Sequence, residues 1–518
     1  MHYFLLFAPR FTDWPLALIP AIQARDPEAR FSGLVTDSPG LHEQVRQRAA
    51  CEFVFLDQLD ALERRWTSEP VSGADIQRLE ARYRPFDLKR VVIGDRHVGA
   101  GYLPGVDLPQ SPLLRHARDQ AGIWRYLNGL MGWVDDRFGG DDRPDLAFLY
   151  AIASAHQLAV TLACRRYGTV LRTLPQIKAV GGGISLCADP LLHNAEVVAS
   201  MREGAETPAC LSAYRMAAED YLQNFRNNLP QVPFEEALRR SHCAKLTLRS
   251  IGRELLASNL RWVRSWRAEE RPSLRKPHPY QLSLFKVRFM WRGRALVQSR
   301  SMYTNIDALN GQRFVYFPLH VQPEASTMVK TPMLSNQIAV IEAIAKSLPP
   351  SMRLVIKEHV IMLGKRAPSY YRRLLGMPNV VMVSPFVSGL VLTQRATAVA
   401  TITGTTGLEA LMLGKPLLMI GETEYAHIRQ GLVRCTDPVR MPLAMREVLA
   451  LKPASDEALL RFIAASLAAS LPMKNSDVWG RVTRQLIEER RDGLHALADG
   501  LVNAARHRLR GNELADFA

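Results

Sequence analysis

A chain of 518 residues is too long for one ordinary hydrophobic core and has room for two α/β domains with helical material left over. With 47% hydrophobic and 22% charged residues it lies near soluble globular averages, which excludes global disorder, and its apolar stretches fall short of the roughly 20 residues a membrane span needs. The formal charge of +16 calls for anionic partners, while six cysteines (Cys51, Cys164, Cys187, Cys210, Cys243, Cys435) without CxxC or Cys/His spacing exclude a zinc site or disulfide framework and fit reduced, buried thiols.

The opening MHYFLLFAPRF lacks a basic leader, breaks at Pro9 and Arg10, and reads as a first buried strand rather than a signal peptide. Further strands are expected at 31–36, 53–56, 91–94, 146–150 and 170–174, after a first at 3–8, with helices between them as in βα units. HQLAVTLACRRY (156–167) has helical spacing and stops at Gly168 just before a strand, the order of a parallel crossover. From 208 to 301 the pattern turns helical and basic, and RPSLRKPHPYQ (271–281), with three prolines, reads as a connection. Only RWVRSWR (261–267) interleaves arginine with aromatics, and without a recognisable binding motif no nucleic-acid partner is expected.

Beyond Gly311 the βα rhythm returns, with strands at 314–318, 353–357, 380–383, 398–402 and 416–420 and helices at 336–347, 369–375 and 407–413. From about Met441 the chain reads as helical, with a charged terminal helix at 477–491 that packs back across the domain junction. The expected division is 1–207 as an N-terminal Rossmann-like domain, 208–311 as a basic helical insertion or linker, 312–440 as a C-terminal Rossmann-like domain, and 441–518 as helices.

Three stretches carry chemistry. In AVATITGTTGLEALMLGKPLLMIG (398–421) a buried strand runs into Gly404, Thr405, Thr406 and Gly407, and a helix starts at once. Amide groups there, uncovered by glycine and flanked by hydroxyls, suit a phosphate or diphosphate, and Glu409 in the first turn is placed to accept from ribose hydroxyls; a plain helix cap is the alternative. FPLHVQPEAST (317–327) gathers His320, Gln322 and Glu324 at a strand's carboxyl end, where parallel sheets place ligands; the alternative is an N-cap at Ser326 or Thr327. RLVIKEH (353–359) delivers Lys357, Glu358 and His359 to a neighbouring strand end, the first to neutralise a phosphate and the last to bond a nucleotide; a structural Lys357–Glu358 ion pair is the alternative.

Together YFPLHVQPEAST, LVIKEHV, NVVMVSP and ITGTTGLEALMLGKP resemble the C-terminal half of the bacterial capsular-polysaccharide biosynthesis glycosyltransferases over roughly 312–425, and the likeness is much poorer over the first 300 residues. The resemblance implies an α/β GT-B arrangement, two Rossmann-like domains facing a central cleft, and a nucleotide-sugar donor of the CMP-Kdo kind. It implies that Lys357, Glu358, His359, Gly404 to Gly407 and Glu409 bind the nucleotide, and that the N-terminal domain receives a polysaccharide or lipid-linked glycan acceptor. An acidic N-terminal residue then acts as general base: Asp95, in IGDRHVGAG (93–101) with Arg96 and His97 beside it at the acceptor, or its rival Asp37 in TDSPG. His320 and Glu324 are further catalytic candidates, and Gln322 an acceptor contact. Two departures stand out: His359 is followed by Val360 where the family shows proline, and Leu408 stands where tryptophan is common.

No cofactor and no metal are expected, because no DxD-like pair stands at a strand end near the nucleotide and Asp135, Asp136, Asp141 and Asp142 read as a solvated polar loop. The expected location is cytoplasmic, with peripheral contact between the basic helices and anionic membrane. Competing readings are a nucleotide-sugar epimerase of the same fold and a non-catalytic glycan- or nucleic-acid-binding relative.

Overall fold

The computed structural model describes residues 1–36, 40–188, 197–198, 201, 209–228, 247–267, 273–299, 301–479 and 482–510. Five short apolar segments, His2–Phe7 (β1), Arg30–Val35 (β2), Phe53–Gln58 (β3), Leu146–Leu149 (β4) and Val170–Thr173 (β5), form an all-parallel sheet in the order β3-β2-β1-β4-β5. Every residue of β1 is buried, as a central strand covered by helices on both faces requires. The second sheet holds Phe314–Pro318 (β6), Arg353–Lys357 (β7), Val380–Val383 (β8), Ala398–Thr401 (β9), Leu417–Met419 (β10) and Leu432–Arg434 (β11), all parallel, in the order β11-β10-β9-β6-β7-β8. Two Rossmann-like sheets are therefore present, as expected from the alternation of apolar runs and helical patterns.

In each sheet the chain winds outward on one side, then returns to the centre and winds outward on the other. The reversal lies between β1 and β4 in the first sheet and between β6 and β9 in the second. Loops leaving two adjacent parallel strands in opposite directions open a crevice at their carboxyl ends, where ligands bind in such sheets. The loops after β6 and β9 are the ones that carry His320 and Gly404.

Three expectations fail. Residues 91–94 are not a strand: Lys89–Ile93 is a short helix with Val91, Val92 and Ile93 buried, since three apolar residues fit a buried helix face as well as a strand. Asp135 and Asp136 lie in the helix Gln120–Phe138, and Asp135 is no solvated loop residue, because Arg82, Tyr83 and Tyr167 all donate to it. The terminal helix expected at 477–491 is divided among Asn475–Trp479, Arg484–Glu489 and Arg491–Arg510.

Arg491–Arg510 returns to the N-terminal sheet. Leu497, Ala498, Leu501, Val502 and Ala505 share one core with Tyr3, Leu5 and Phe7 of β1 and with Trp14, Leu18 and Ile22 of helix Asp13–Gln23. The indole Nε1 of Trp14 donates to the Asp477 carbonyl at 3.1 Å. Helices Met441–Ala450 and Asp456–Ala468 instead join the cores on the two faces of the C-terminal sheet. Helix Ala209–Asn227 packs on Asp456–Ala468, and Arg226 pairs with Asp456 at 2.7 Å.

Helices Leu248–Arg267 and Pro279–Gln298 pack on each other, joined by the Lys286–Glu254 ion pair. Arg275, from the proline-rich connection, enters the N-terminal core and reaches Glu63 at 2.7 Å and Asp95 at 2.9 Å. Among the described residues no helix is long and apolar enough to cross a membrane.

Candidate functional site

β6 ends at Pro318, and the chain turns away with its backbone held by a neighbour: the His320 amide donates to Gln337 Oε1 at 2.7 Å, and Gln337 Nε2 donates to the His320 carbonyl at 3.1 Å. The His320 ring thereby lies under the turn that follows β9. Its Nε2 accepts from the Thr403 amide at 3.3 Å and lies 3.3 Å from Thr401 Oγ1, which places the ring proton on Nδ1. Burial, then the charges of Lys178 and Arg366, lower its pKa to about 3. Buried and tied through Nε2 to the Thr403 amide, the ring positions the turn.

The turn itself is tightly tied. Thr401 Oγ1 accepts from the Gly404 amide at 3.2 Å, and the Tyr425 hydroxyl donates to the Gly404 carbonyl at 2.7 Å. Gly407 is required for that approach, because a Cβ there would stand 2.4 Å from the Tyr425 hydroxyl oxygen. Helix Thr406–Met412 makes its first full-turn bond from the Glu409 amide to the Thr405 carbonyl at 3.0 Å, and the Gly407 amide already donates to the Gly404 carbonyl at 3.2 Å, so the Thr405 and Thr406 amides are the ones that lie ahead of these bonds. Thr405 is exposed and Gly404 and Thr406 are half-buried, leaving this end accessible.

Glu409 is also half-buried. Burial raises its pKa, against the Thr405 hydroxyl and the Lys357 charge, which lower it. Lys357, half-buried at the end of β7, is therefore within electrostatic reach of this carboxylate and of His359, whose pKa is lowered first by enclosure in the crevice and then by the Lys357 charge. His359 retains an exposed edge, and its Nδ1 accepts from the Ile361 amide at 3.3 Å.

Glu358 does not face the crevice. Its Oε2 accepts from Arg366 Nε at 2.8 Å and from the Tyr371 hydroxyl at 2.8 Å, and its Oε1 from the His359 amide at 2.7 Å, all in a buried setting. Glu358 is thus a structural anchor rather than a nucleotide contact, and its ion-pair partner is Arg366, not Lys357. The same Arg366 donates to Gln322 Oε1 at 3.1 Å while Gln322 Nε2 donates to the Ser335 carbonyl at 2.6 Å, so Gln322 is also committed and buried, not an acceptor contact. Glu324 differs from both. It is exposed, accepts from Ser326 Oγ at 2.8 Å, and its charge is felt by Lys178 and His359.

In the N-terminal domain Asp95 is 0% exposed. Its Oδ1 accepts from the amides of His97 at 2.8 Å and Val98 at 3.2 Å, its Oδ2 from Ala155 at 3.1 Å and Arg275 Nη1 at 2.9 Å. Burial alone would raise its pKa; the Arg275 guanidinium and these donors override that and hold it well below the usual carboxylate range. With four donors in place it has no acceptor position left for a substrate hydroxyl, so Asp95 is a structural hub and not a general base.

His97 contacts Ser111 Oγ at 3.0 Å and is lowered to about 4 by burial, while Arg96 is exposed. The rival Asp37 lies outside the described residues. The neighbourhood packs against the segment after β6: a Cβ on Gly94 would stand 3.4 Å from the buried Val329.

One site residue has no counterpart among the expected set. Lys178 follows β5, at the carboxyl end of the N-terminal sheet, and crosses to the other domain. Its amide donates to Glu424 Oε1 at 3.0 Å, its ammonium donates to the Thr403 carbonyl, and it lies 5.0 Å from the Tyr425 ring centroid. Burial lowers its pKa to about 8, against Glu424, which raises it, with Lys330 lowering it further. Its only signal in the sequence is a lysine just past a parallel strand, in LPQIKAVGGG. Among the described residues no cluster of His, Cys, Asp or Glu is arranged to hold a metal ion.

Comparison with known proteins is consistent with where these motifs lie. Residues 283–437 match the family model described as capsule polysaccharide biosynthesis protein, which spans β6 to β11 and the crevice between β6 and β9. Protein FixF of Sinorhizobium fredii is 26% identical over 152 residues, 28% of this chain and 35% of FixF, so the chain matches about a third of that relative's length. Among solved structures, the KpsC beta Kdo 2,4 transferase of Thermosulfurimonas dismutans is 13% identical with a TM-score of 0.30, covering 63% of this chain and 81% of that one. A putative UDP-N-acetylglucosamine 2-epimerase from Listeria monocytogenes is 11% identical with a TM-score of 0.24, covering 94% and 96%.

Proposed function

We propose, with the capsule polysaccharide biosynthesis match over residues 283–437 as premise, that the protein is a glycosyltransferase using a nucleotide-sugar donor, of the CMP-Kdo kind. Its acceptor would be a capsular or other surface polysaccharide, free or lipid-linked. The observation that carries this reading is the convergence, at the point where the C-terminal sheet reverses, of the Gly404–Gly407 turn, Glu409, Lys357 and the incoming Lys178. Two ammonium groups beside the Thr405 and Thr406 amides and an enclosed carboxylate suit a phosphate attached to a polyhydroxyl ring.

In the proposed reaction the sugar–phosphate C–O bond breaks, and its electron pair leaves with the nucleotide phosphate. Lys178, Lys357 and the amides of the turn take up that charge in a partly desolvated setting, where fixed donors stabilise a leaving group most. The acceptor oxygen forms the new C–O bond and its proton passes to a carboxylate. Of the three catalytic candidates Glu324 is the one whose carboxylate is exposed at the crevice, and it is assigned that proton. No metal and no cofactor are invoked; the charge of the leaving phosphate falls to the lysines.

Thermal-shift titration with CMP, CDP, UDP and GDP tests the donor. A ligand at 100 times its dissociation constant adds about 2.7 kcal/mol of stability, and a cytidine nucleotide should give the largest shift. No shift with any of the four sinks the reading. Release of free nucleotide only when a glycan acceptor is supplied then separates transfer from epimerisation, which needs no acceptor.

A further inference from the structure

The helices Leu248–Arg267 and Pro279–Gln298 hold each other by their facing sides, yet each turns an apolar row outward. On the first, Leu248, Leu256, Leu260 and Val263 recur at helical spacing and are 76, 68, 57 and 48% exposed. On the second, Tyr280, Leu284 and Trp291 do the same at 60, 52 and 73%. Residues at these separations share one side of a helix, so each row is continuous rather than a scatter of single exposed side chains.

Basic residues flank both rows. Arg249 and Arg253 are exposed on the first helix, and Arg288 and Arg294 on the second. Over the two helices the sequence holds nine lysines and arginines against one acidic residue, Glu254, which is paired with Lys286; Asp107, from outside the two helices, pairs with Arg288 at 2.7 Å and Arg292 at 2.8 Å. An outward leucine and tryptophan row bordered by arginine is the composition of helices that lie in a bilayer interface, apolar side chains among the acyl chains and guanidinium groups at the phosphates.

We propose that these two helices form a membrane-docking surface that seats the protein on an anionic lipid interface. The charge decides for lipid over a second copy of the chain, since a self-complementary contact across this surface would set the exposed Arg249, Arg253 and Arg294 against their own copies. Attachment needs both elements, because each basic side chain near an anionic surface contributes about 1 kcal/mol and the apolar row supplies insertion. None of the residues in these two rows is among those named at the crevice between β6 and β9, so this inference does not rest on the proposed transferase activity.

Flotation of the full chain with vesicles tests it. Binding to phosphatidylcholine vesicles containing phosphatidylglycerol should exceed binding to phosphatidylcholine alone by about ten-fold or more, and fall on raising salt. L256S/L260S and L284S/W291S should each lose most of that binding with an unchanged circular-dichroism melting temperature. R249Q/R253Q/R294Q, altered only at exposed positions, should weaken it independently of the apolar row. Brominated phosphatidylcholine mixed into the anionic vesicles should quench the wild-type fluorescence more than that of W291F. Equal binding to both vesicle types, equal binding to a soluble polyanion, or a lipid-free dimer in which Trp291 is shielded from quencher would overturn the proposal.

Discussion

The ammonium of Lys178 donates to the carbonyl of Thr403, 225 residues further along the chain, and so ties the exit of the N-terminal sheet to the glycine turn of the C-terminal one. The pair is joined by the Lys178 amide on Glu424 and by the Tyr425 ring, which also anchors Gly404. Replacement of Lys178 by alanine should therefore weaken nucleotide binding by about 1.5–3 kcal/mol, the range for a hydrogen bond to a charged group. Arginine at the position should restore part of it. Isothermal titration with the nucleotide that gives the largest thermal shift measures both; an affinity unchanged in the alanine variant would remove Lys178 from the site.

The pH dependence follows from the same residue. With its pKa lowered to about 8, Lys178 carries a proton below that pH and loses it above, so anion affinity should be constant up to about pH 7 and decline through pH 8 to 9. Lysine in solution would hold its charge to above pH 10. The decline should disappear in the Lys178→Met variant.

Asp95 and Arg275 supply a contrast between structure and catalysis. Arg275 is buried with Glu63, Asp95 and Tyr126 around it, so Arg275→Met leaves two carboxylates without their cation and should cost about 3–5 kcal/mol, read as a loss of urea midpoint. Asp95→Asn should likewise lower the midpoint. Turnover per folded molecule should stay within a few-fold of wild type, and a loss of several hundred-fold in a variant of normal stability would restore Asp95 as the base.

At Gly407 the constraint is contact with Tyr425. Gly407→Ala should lower both the melting temperature and nucleotide affinity, since the new methyl meets the hydroxyl that holds Gly404. Tyr425→Phe removes that oxygen, while the ring carbon Cζ at 2.8 Å and Thr401 Cγ2 at 3.0 Å stay, so the double variant should be modestly more stable than the two single losses added together. Simple additivity in a melting experiment would show that the ring carbon and Thr401, not the hydroxyl, set the cost.

Acid should unfold the protein early. His97, His156 and His320 are lowered to about 4, 3 and 3, burial being the first cause at each. Between those values and about 6.5 the unfolded chain binds more protons than the folded one, so stability rises with pH across that window and falls as pH drops through it. Melting temperature measured from pH 7 to pH 4 should decline, and His156→Leu should flatten the slope.

The sequence reveals much of the C-terminal sheet because its strands are short runs of β-branched, aromatic and other apolar residues between polar turns: β6, β7 and β8 lie at the expected residues. It reveals less where length cannot separate helix from strand, as at Val91–Ile93, or where a strand is three residues long, as at β11. The crevice motifs were legible at Gly404–Gly407 because glycine and threonine at a strand-to-helix turn have a local physical meaning. Which polar residue faces inward was not. Glu358 and His359 are adjacent, yet one is consumed by Arg366 and Tyr371 while the other keeps an open edge, and that choice depends on an arginine at position 366 that no local pattern connects to them. Lys178 and Arg275 were invisible for the same reason, since their partners lie far away along the chain.

Because the last described helix supplies one wall of the core around β1, translation order matters to this protein. The residues that cover Tyr3, Leu5 and Phe7 leave the ribosome nearly five hundred positions after them. The N-terminal sheet can thus complete this core only after the C-terminal sheet has been synthesised, a delay during which its apolar face stays open to non-native contacts.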